Sequence, residues 1–259
     1  MSDSLNNIDV YVLDMDGTIY LGDHVINGAI DFTRRARAGG KRILYFTNNA
    51  SRNKSVYFER LTQMGFAPDP GDILTSGDVT AAYLLTHHKN DKIFVLGTPA
   101  LRDSFTEYGL RLTDGLDANV VVTSFDTTLI YSRLETACRL ISGGAVYYST
   151  HEDINCPTEY GSMPDSGAIN ALITCSTGKS PKYFGKPNRE TAEMISEYTN
   201  TPFERIACVG DRLYTDIALG KRHGLYSILV LTGEAKQTDI NEENAPDLVV
   251  DSISCLLNK

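Results

Sequence analysis

The sequence predicts an α/β fold: a parallel sheet covered on both faces by helices, with a second α/β domain inserted into it. Three observations predict it. Short β-branched or aromatic runs alternate with stretches whose apolar residues recur at three- and four-residue spacing. The polar groups that directly follow such runs form an early set, within residues 14–49, and a late set, within residues 186–216. Between the sets lies a long strand-and-helix pattern that needs neither flank. The core is therefore expected at 1–78 and 181–259, and the inserted domain at 79–180.

The elements follow in order. Residues 8–13, Ile-Asp-Val-Tyr-Val-Leu, read as a first strand, and 28–38 as a helix with apolar residues at three- and four-residue spacing. Strand 42–46 is followed by helix 54–64, with Tyr57, Leu61 and Met64 in register, and then by strand 92–96. Thr98-Pro99 supplies a cap and a first-turn proline for helix 101–108, which Gly109 stops. Strand 120–123, helix 132–141, the Gly143-Gly144 stop and strand 145–149 repeat the theme. Helix 190–198 and strands 206–209 and 227–231 complete it.

Composition narrows the function. Hydrophobic residues make up 42% and charged residues 22%, an ordinary globular balance that excludes a disordered or collagenous chain. A net charge of -9 counts against a general binder of nucleic acid or anionic membrane, which needs clustered Lys and Arg. The five cysteines form no C-x-x-C pair, so neither a disulfide framework nor a zinc ribbon is indicated. The acidic, polar start and the lack of an apolar run near the roughly 18 residues of a membrane span lead to a cytoplasmic expectation.

In open parallel sheets, ligands bind outside the carboxyl ends of the strands. Four groups occupy that position: Asp14-Met-Asp16-Gly-Thr18, Thr47-Asn48-Asn49, Gly185-Lys186-Pro187-Asn188, and Gly210-Asp211 through Asp216. Each has an ordinary alternative. An Asp-x-Asp-Gly can simply close a strand, Thr-Asn-Asn can cap a helix, a lysine can be a solvated charge, and Asp216 can cap a helix start. Taken together, Asp14, Asp16 and Asp211 bring three carboxylates to one crevice. At about 4 Å and an effective dielectric near 20, each like pair costs roughly 4 kcal/mol. Mg2+, a hard cation that takes carboxylate and phosphate oxygens, answers that repulsion, and Lys186 balances what remains.

These residues resemble, in order, the four motifs of the haloacid dehalogenase superfamily of aspartate-nucleophile hydrolases. The Gly-Lys-Pro-Asn and Gly-Asp-Arg-Leu-x-Thr-Asp forms are similar to its NagD-like, para-nitrophenyl phosphatase branch. The resemblance implies a Rossmann-like core with a large α/β cap inserted between the second and third motifs. It implies Asp14 as nucleophile, Asp16 as general acid and then base, and Lys186 as the cation that orients Asp14. Thr47, Asn48 and Asn49 would hold phosphoryl oxygens together with Lys186. Mg2+ would sit on the carboxylates of Asp14 and Asp211 and on the main-chain carbonyl of Asp16, with Asp216 outside that ligand set. The cap segment from Thr150 to Gly167, with His151, Asn155, Cys156 and Asp165, resembles a substrate-specificity loop.

The expected partner is a small phosphorylated metabolite, with no nucleic acid and no membrane, for a monomer or a cap-mediated homodimer. Rival readings fit less well. A dehalogenase does not need the acid Asp16, and a phosphomutase matches the late motifs less closely. No G-x-G-x-x-G is present, and Gly178-Lys179-Ser180 lacks a P-loop glycine because position 173 is Ile173. A non-catalytic phosphometabolite-binding module would have no need for every motif.

Overall fold

The computed structural model describes residues 5–158 and 161–258; the start at 1–4 and positions 159–160 of the segment likened to a specificity loop lie outside it. Strands in chain order are β1 (Val10–Leu13), β2 (Tyr20–Leu21), β3 (His24–Val25), β4 (Arg42–Thr47), β5 (Ile73–Thr75), β6 (Ile93–Leu96) and β7 (Val120–Thr123). Then come β8 (Val146–Ser149), β9 (Asn155–Thr158), β10 (Gly161–Pro164), β11 (Lys182–Tyr183), β12 (Ile206–Gly210), β13 (Tyr226–Val230) and β14 (Leu248–Val250).

The chain divides into two compact units. The first comprises residues up to Thr47, Lys54–Leu74, and Lys186 onward; the second comprises Asn48–Asn53 and Thr75–Gly185. The sequence expectation had set the boundaries at 78/79 and 180/181 and had kept residues 48–53 in the core. Hydrogen bonds explain the transfer of that segment: Ser76 Oγ donates to Asn48 O, and Thr98 Oγ1 donates to Ser51 O.

The first unit is built on a six-stranded sheet of order β14-β13-β12-β1-β4-β5. Strand β1 pairs in parallel with both β12 and β4. The chain first builds outward from β1 on one side and later returns to build from β12 on the other. The step between β1 and β12 is thus the topological switch point, where a crevice opens at the carboxyl ends. Below it, Leu13, Met15, Tyr45, Leu61, Val209 and Ile228 form a buried core.

The second unit carries a four-stranded sheet of order β11-β8-β7-β6, all parallel. Phe94, Val121, Leu134, Ile141, Tyr147 and Ile173 are buried together in its core. The antiparallel hairpin β9–β10 leads into the helix Ser166–Thr177. Among the described residues, no helix is long and apolar enough to cross a membrane.

Candidate active site

Four segments of the first unit meet where the sheet changes direction. Asp14 leaves the end of β1, with its main-chain N–H still bonded to Val209 O at 2.9 Å. Asp211 leaves the end of β12 on the neighbouring strand. Beyond it, residues Leu213–Ile217 form a single π-helical turn, wider than an α turn, in which Thr215 and Asp216 are buried. Lys186 enters from the segment after β11 and is buried.

Lys186 Nζ donates to Asp14 Oδ1 at 2.6 Å, to Asp216 Oδ1 at 2.6 Å, and to Phe46 O at 3.3 Å. Thr215 Oγ1 donates to Asp216 Oδ2 at 3.0 Å, fixing that carboxylate from the other side. One oxygen each from Asp14, Asp211 and Asp216 lie within 4.8 Å of one another. Asp211 Oδ2 accepts from Glu234 N at 2.8 Å, whereas its Oδ1 is buried with no hydrogen-bond partner.

Backbone shape makes room for Asp211. A Cβ on Gly233 would stand 2.0 Å from Asp211 Oδ2, and one on Gly17 would stand 2.4 Å from it. Gly17 also has φ +84°, the left-handed region that favours glycine.

Asp14 and Asp216 share the Lys186 ammonium while Asp211 stands beside them, and the titration behaviour reflects it. Burial pushes Asp14 up to about 7; Lys186 opposes the rise, while Asp216 and Asp211 add to it. Burial and then Asp216 push Asp211 up to about 6. Burial works against the charged form of Lys186, yet Asp14 and Asp216 outweigh it and hold the ammonium above its ordinary range. Cys208, on β12, is pushed up to about 12 by burial and by Asp216, so its thiol is inert as a nucleophile.

A surplus of buried carboxylate and an orphaned buried oxygen are what a hard divalent cation satisfies. The donor set is all oxygen, which suits Mg2+ and not a thiolate-seeking metal.

The remaining expected residues stand as follows. Asp16 is exposed on the turn after β1, where Met15 turns into the core. Thr47 ends β4, two residues beyond the Leu13–Tyr45 pair. Asn48 and Asn49 belong to the second unit. Asn48 Nδ2 donates to the Asp153 carboxylate at 3.2 and 3.3 Å, and Asn49 Oδ1 accepts from Ser51 N and Oγ. His151 and Asp165 are buried in the second unit, Cys156 is half-buried and Asn155 is exposed.

Sequence reasoning left Asp216 without a direct role, although it grips Lys186. It also passed over the Thr232-Gly233-Glu234 turn. There Thr232 Oγ1 donates to Gly17 O at 2.6 Å and Glu234 N holds Asp211. Its signal was available, since it directly follows the predicted strand 227–231, the same criterion that found the other four groups.

Comparison with known proteins identifies the family. A haloacid dehalogenase-like hydrolase family matches residues 11–111, and a related HAD-hydrolase-like family matches 183–256. The acid sugar phosphatase of Staphylococcus aureus is 32% identical over 236 residues, 91% of each chain. The chain belongs to the haloacid dehalogenase-like hydrolase family. Within it, the crystal structure of a 4-nitrophenylphosphatase from Thermotoga maritima superposes with a TM-score of 0.95 at 42% identity, covering 99% of this chain and 98% of that one. A glycerol phosphate phosphatase from Mycobacterium tuberculosis, solved in complex with magnesium, gives a TM-score of 0.90 at 28% identity, over 98% of this chain and 77% of that one. This haloacid dehalogenase-like chain is a phosphatase of the NagD-like, para-nitrophenyl phosphatase branch, with the Rossmann-like core and α/β cap of that branch.

Proposed function

We propose that the protein is an Mg2+-dependent phosphatase that hydrolyses small phosphate monoesters through an aspartyl-phosphate on Asp14. The observation that carries this reading is the bridge of Lys186 between Asp14 and Asp216, with Asp211 closing the carboxylate cluster. A bound Mg2+, held by Asp14, Asp211 and the main-chain carbonyl of Asp16, supplies positive charge against the phosphoryl oxygens.

The chain's own groups do the rest. An oxygen of Asp14 attacks phosphorus in line, and the bond from phosphorus to the ester oxygen breaks. Asp16 gives its proton to that leaving oxygen. In the second step Asp16 takes a proton from water, the water oxygen bonds to phosphorus, and the bond to Asp14 breaks, releasing phosphate and regenerating both carboxyl groups. Carboxylate and phosphate dianion repel by about 8 kcal/mol on the estimate above, so Lys186 is needed to orient Asp14 and offset its charge.

Thr47, Asn48 and Asn49 hold the phosphoryl oxygens, with Asn48 itself braced by Asp153. Asp216 keeps Lys186 charged and aimed. Five free cysteines agree with a reducing, cytoplasmic setting. The test is release of para-nitrophenol from its phosphate with and without Mg2+, together with Asp14→Asn. Metal-independent turnover, or normal turnover in that variant, defeats the proposal.

A further inference from the structure

The second unit holds a buried ionisable group that this reaction does not use. His151 follows β8 and is fully buried. Its Nδ1 lies 3.4 Å from Asp153 Oδ2, and its Nε2 lies 3.4 Å from Asp165 Oδ1. Both carboxylates are buried as well.

The protonation state follows from this placement. A neutral imidazole carries hydrogen on one nitrogen and a lone pair on the other. With a carboxylate oxygen facing each nitrogen, the neutral ring sets a lone pair against one of them. Only the doubly protonated ring offers a proton to both.

Each carboxylate has a further task. Asp165 caps the helix Ser166–Thr177, accepting from Ser166 N, and its own N–H donates to Ile154 O at 3.0 Å. Asp153 receives Asn48 Nδ2, and its carbonyl accepts from Gly167 N at 2.8 Å. A Cβ on Gly167 would lie 2.4 Å from Glu152 O, so the two ends of the excursion that carries β9 and β10 are closely packed. The imidazole therefore lies between the carboxylate that caps the helix and the one that holds the asparagine following Thr47, at the two ends of the hairpin segment.

We infer that His151 is a doubly protonated positioning residue that holds Asp153 against Asn48 and so fixes Asn48 for binding phosphate. The role assigned to Asn48 rests on the phosphatase reading; the state of the imidazole does not. Two measurements on the full chain keep these apart. The first is nitrogen NMR of histidine-labelled protein at neutral pH, with His151→Asn used for assignment. Two protonated-type ring nitrogens on His151 are expected, and one unprotonated nitrogen overturns the inference.

The second is calorimetric titration with inorganic phosphate in the presence of Mg2+. His151→Asn should weaken phosphate about tenfold, the scale of a lost hydrogen bond to a charged group. In para-nitrophenyl phosphate hydrolysis KM should rise by the same factor while kcat stays within about twofold, the mark of lost binding rather than lost chemistry. Unchanged phosphate affinity in a folded His151→Asn overturns the positioning role. If that variant does not fold, Asp153→Asn, which keeps the shape and removes the charge, carries the same expectation and the same refutation. A wild-type protein that hydrolyses no phosphate monoester would end the phosphatase reading, and with it the role of Asn48, while the nitrogen spectrum still decides the imidazolium.

Discussion

The polar cluster around Lys186 in the first unit and the one around Asn170 in the second are both buried, yet they settle their bonding in opposite ways. Asn170 Oδ1 accepts from Thr123 Oγ1 at 2.5 Å and from the Tyr147 hydroxyl at 2.9 Å, and its Nδ2 donates to Ser149 Oγ at 2.7 Å. Ser149 Oγ in turn donates to His151 O and meets Ser166 Oγ. Donors and acceptors match among these neutral groups, and the network joins β7, β8 and the helix Ser166–Thr177. Around Lys186 two carboxylates share one ammonium, a third, Asp211, stands beside them, and its Oδ1 is left without a partner. A satisfied network is architecture; a buried cluster with surplus charge is prepared for something outside the chain.

The sharpest way to break this contrast is at the nucleophile. Asp14→Asn keeps the side-chain shape and a hydrogen-bond acceptor for Lys186 but removes the attacking carboxylate. Turnover of para-nitrophenyl phosphate should fall by at least ~10^4-fold, as for other enzymes stripped of a nucleophile. Steady-state kinetics with Mg2+ would settle it, and a loss below about tenfold would show that Asp14 does not carry the phosphoryl group.

The next largest effect should be on stability. Lys186→Met leaves Asp14 and Asp216 buried without their shared cation. Removing one partner of a buried ion pair costs about 3–5 kcal/mol. Urea unfolding in EDTA should show that drop, and a variant as stable as the wild type would mean that the carboxylates had shed their charge by other means.

The candidate site was more legible than the fold around it. Polar residues placed directly after apolar strands picked out Asp14 and Asp211, because the parallel sheet of the first unit presents its carboxyl ends on one edge. The same rule picked out Lys186, although the strand before it, β11, belongs to the sheet of the second unit. Periodicity failed where burial is two-sided. The helix Ser76–His87 buries Ser76, Gly77, Asp78, Val79, Thr80, Ala81 and Leu84, so it has no single apolar stripe for a pattern to reveal. Helix Ser166–Thr177 buries Ser166, Gly167 and Asn170 on the same face as Ile169 and Ile173, so small and polar residues interrupt the apolar stripe. Short edge strands such as β14, Leu248–Val250, offer too few residues to set a period. Asp216 was undervalued because a π-helical turn, not an α-helical start, aims it at Lys186. Pairings such as Asn48 with Asp153 join residues 105 apart and leave no local trace.

Asn170 tests the architectural side of the comparison. Asn170→Ala removes the acceptor of the Tyr147 hydroxyl, leaves the Thr123 hydroxyl only the Tyr148 carbonyl, and removes a donor from Ser149. Lost hydrogen bonds of this kind cost about 1–3 kcal/mol. Urea unfolding should show the loss, while kcat per folded molecule stays within about twofold of wild type, since no group of the reaction is touched. A kcat that fell with stability would make this network part of the catalytic machinery and blur the distinction drawn above.

The smallest effect, and the most diagnostic in sign, belongs to Asp211. Its carboxyl is raised in the fold to about 6, above the roughly 3.9 of an unfolded aspartate. A raised acid contributes stability that is fully present below the unfolded value and is lost as pH rises through the folded one. At neutral pH and without metal, ionised Asp211 therefore works against the fold. Asp211→Asn removes that opposition and keeps an oxygen to accept from Glu234 N. In EDTA the variant should match the wild type near pH 4 and exceed it at pH 7 by about 1 kcal/mol, a Tm rise of roughly 2–4 °C. Added Mg2+ should reverse the ranking, because it stabilises only the chain that keeps this carboxylate. If the variant instead lost stability at pH 7 in EDTA, the cluster would be balanced by the protein alone, and the case for a resident cation would lose its physical basis.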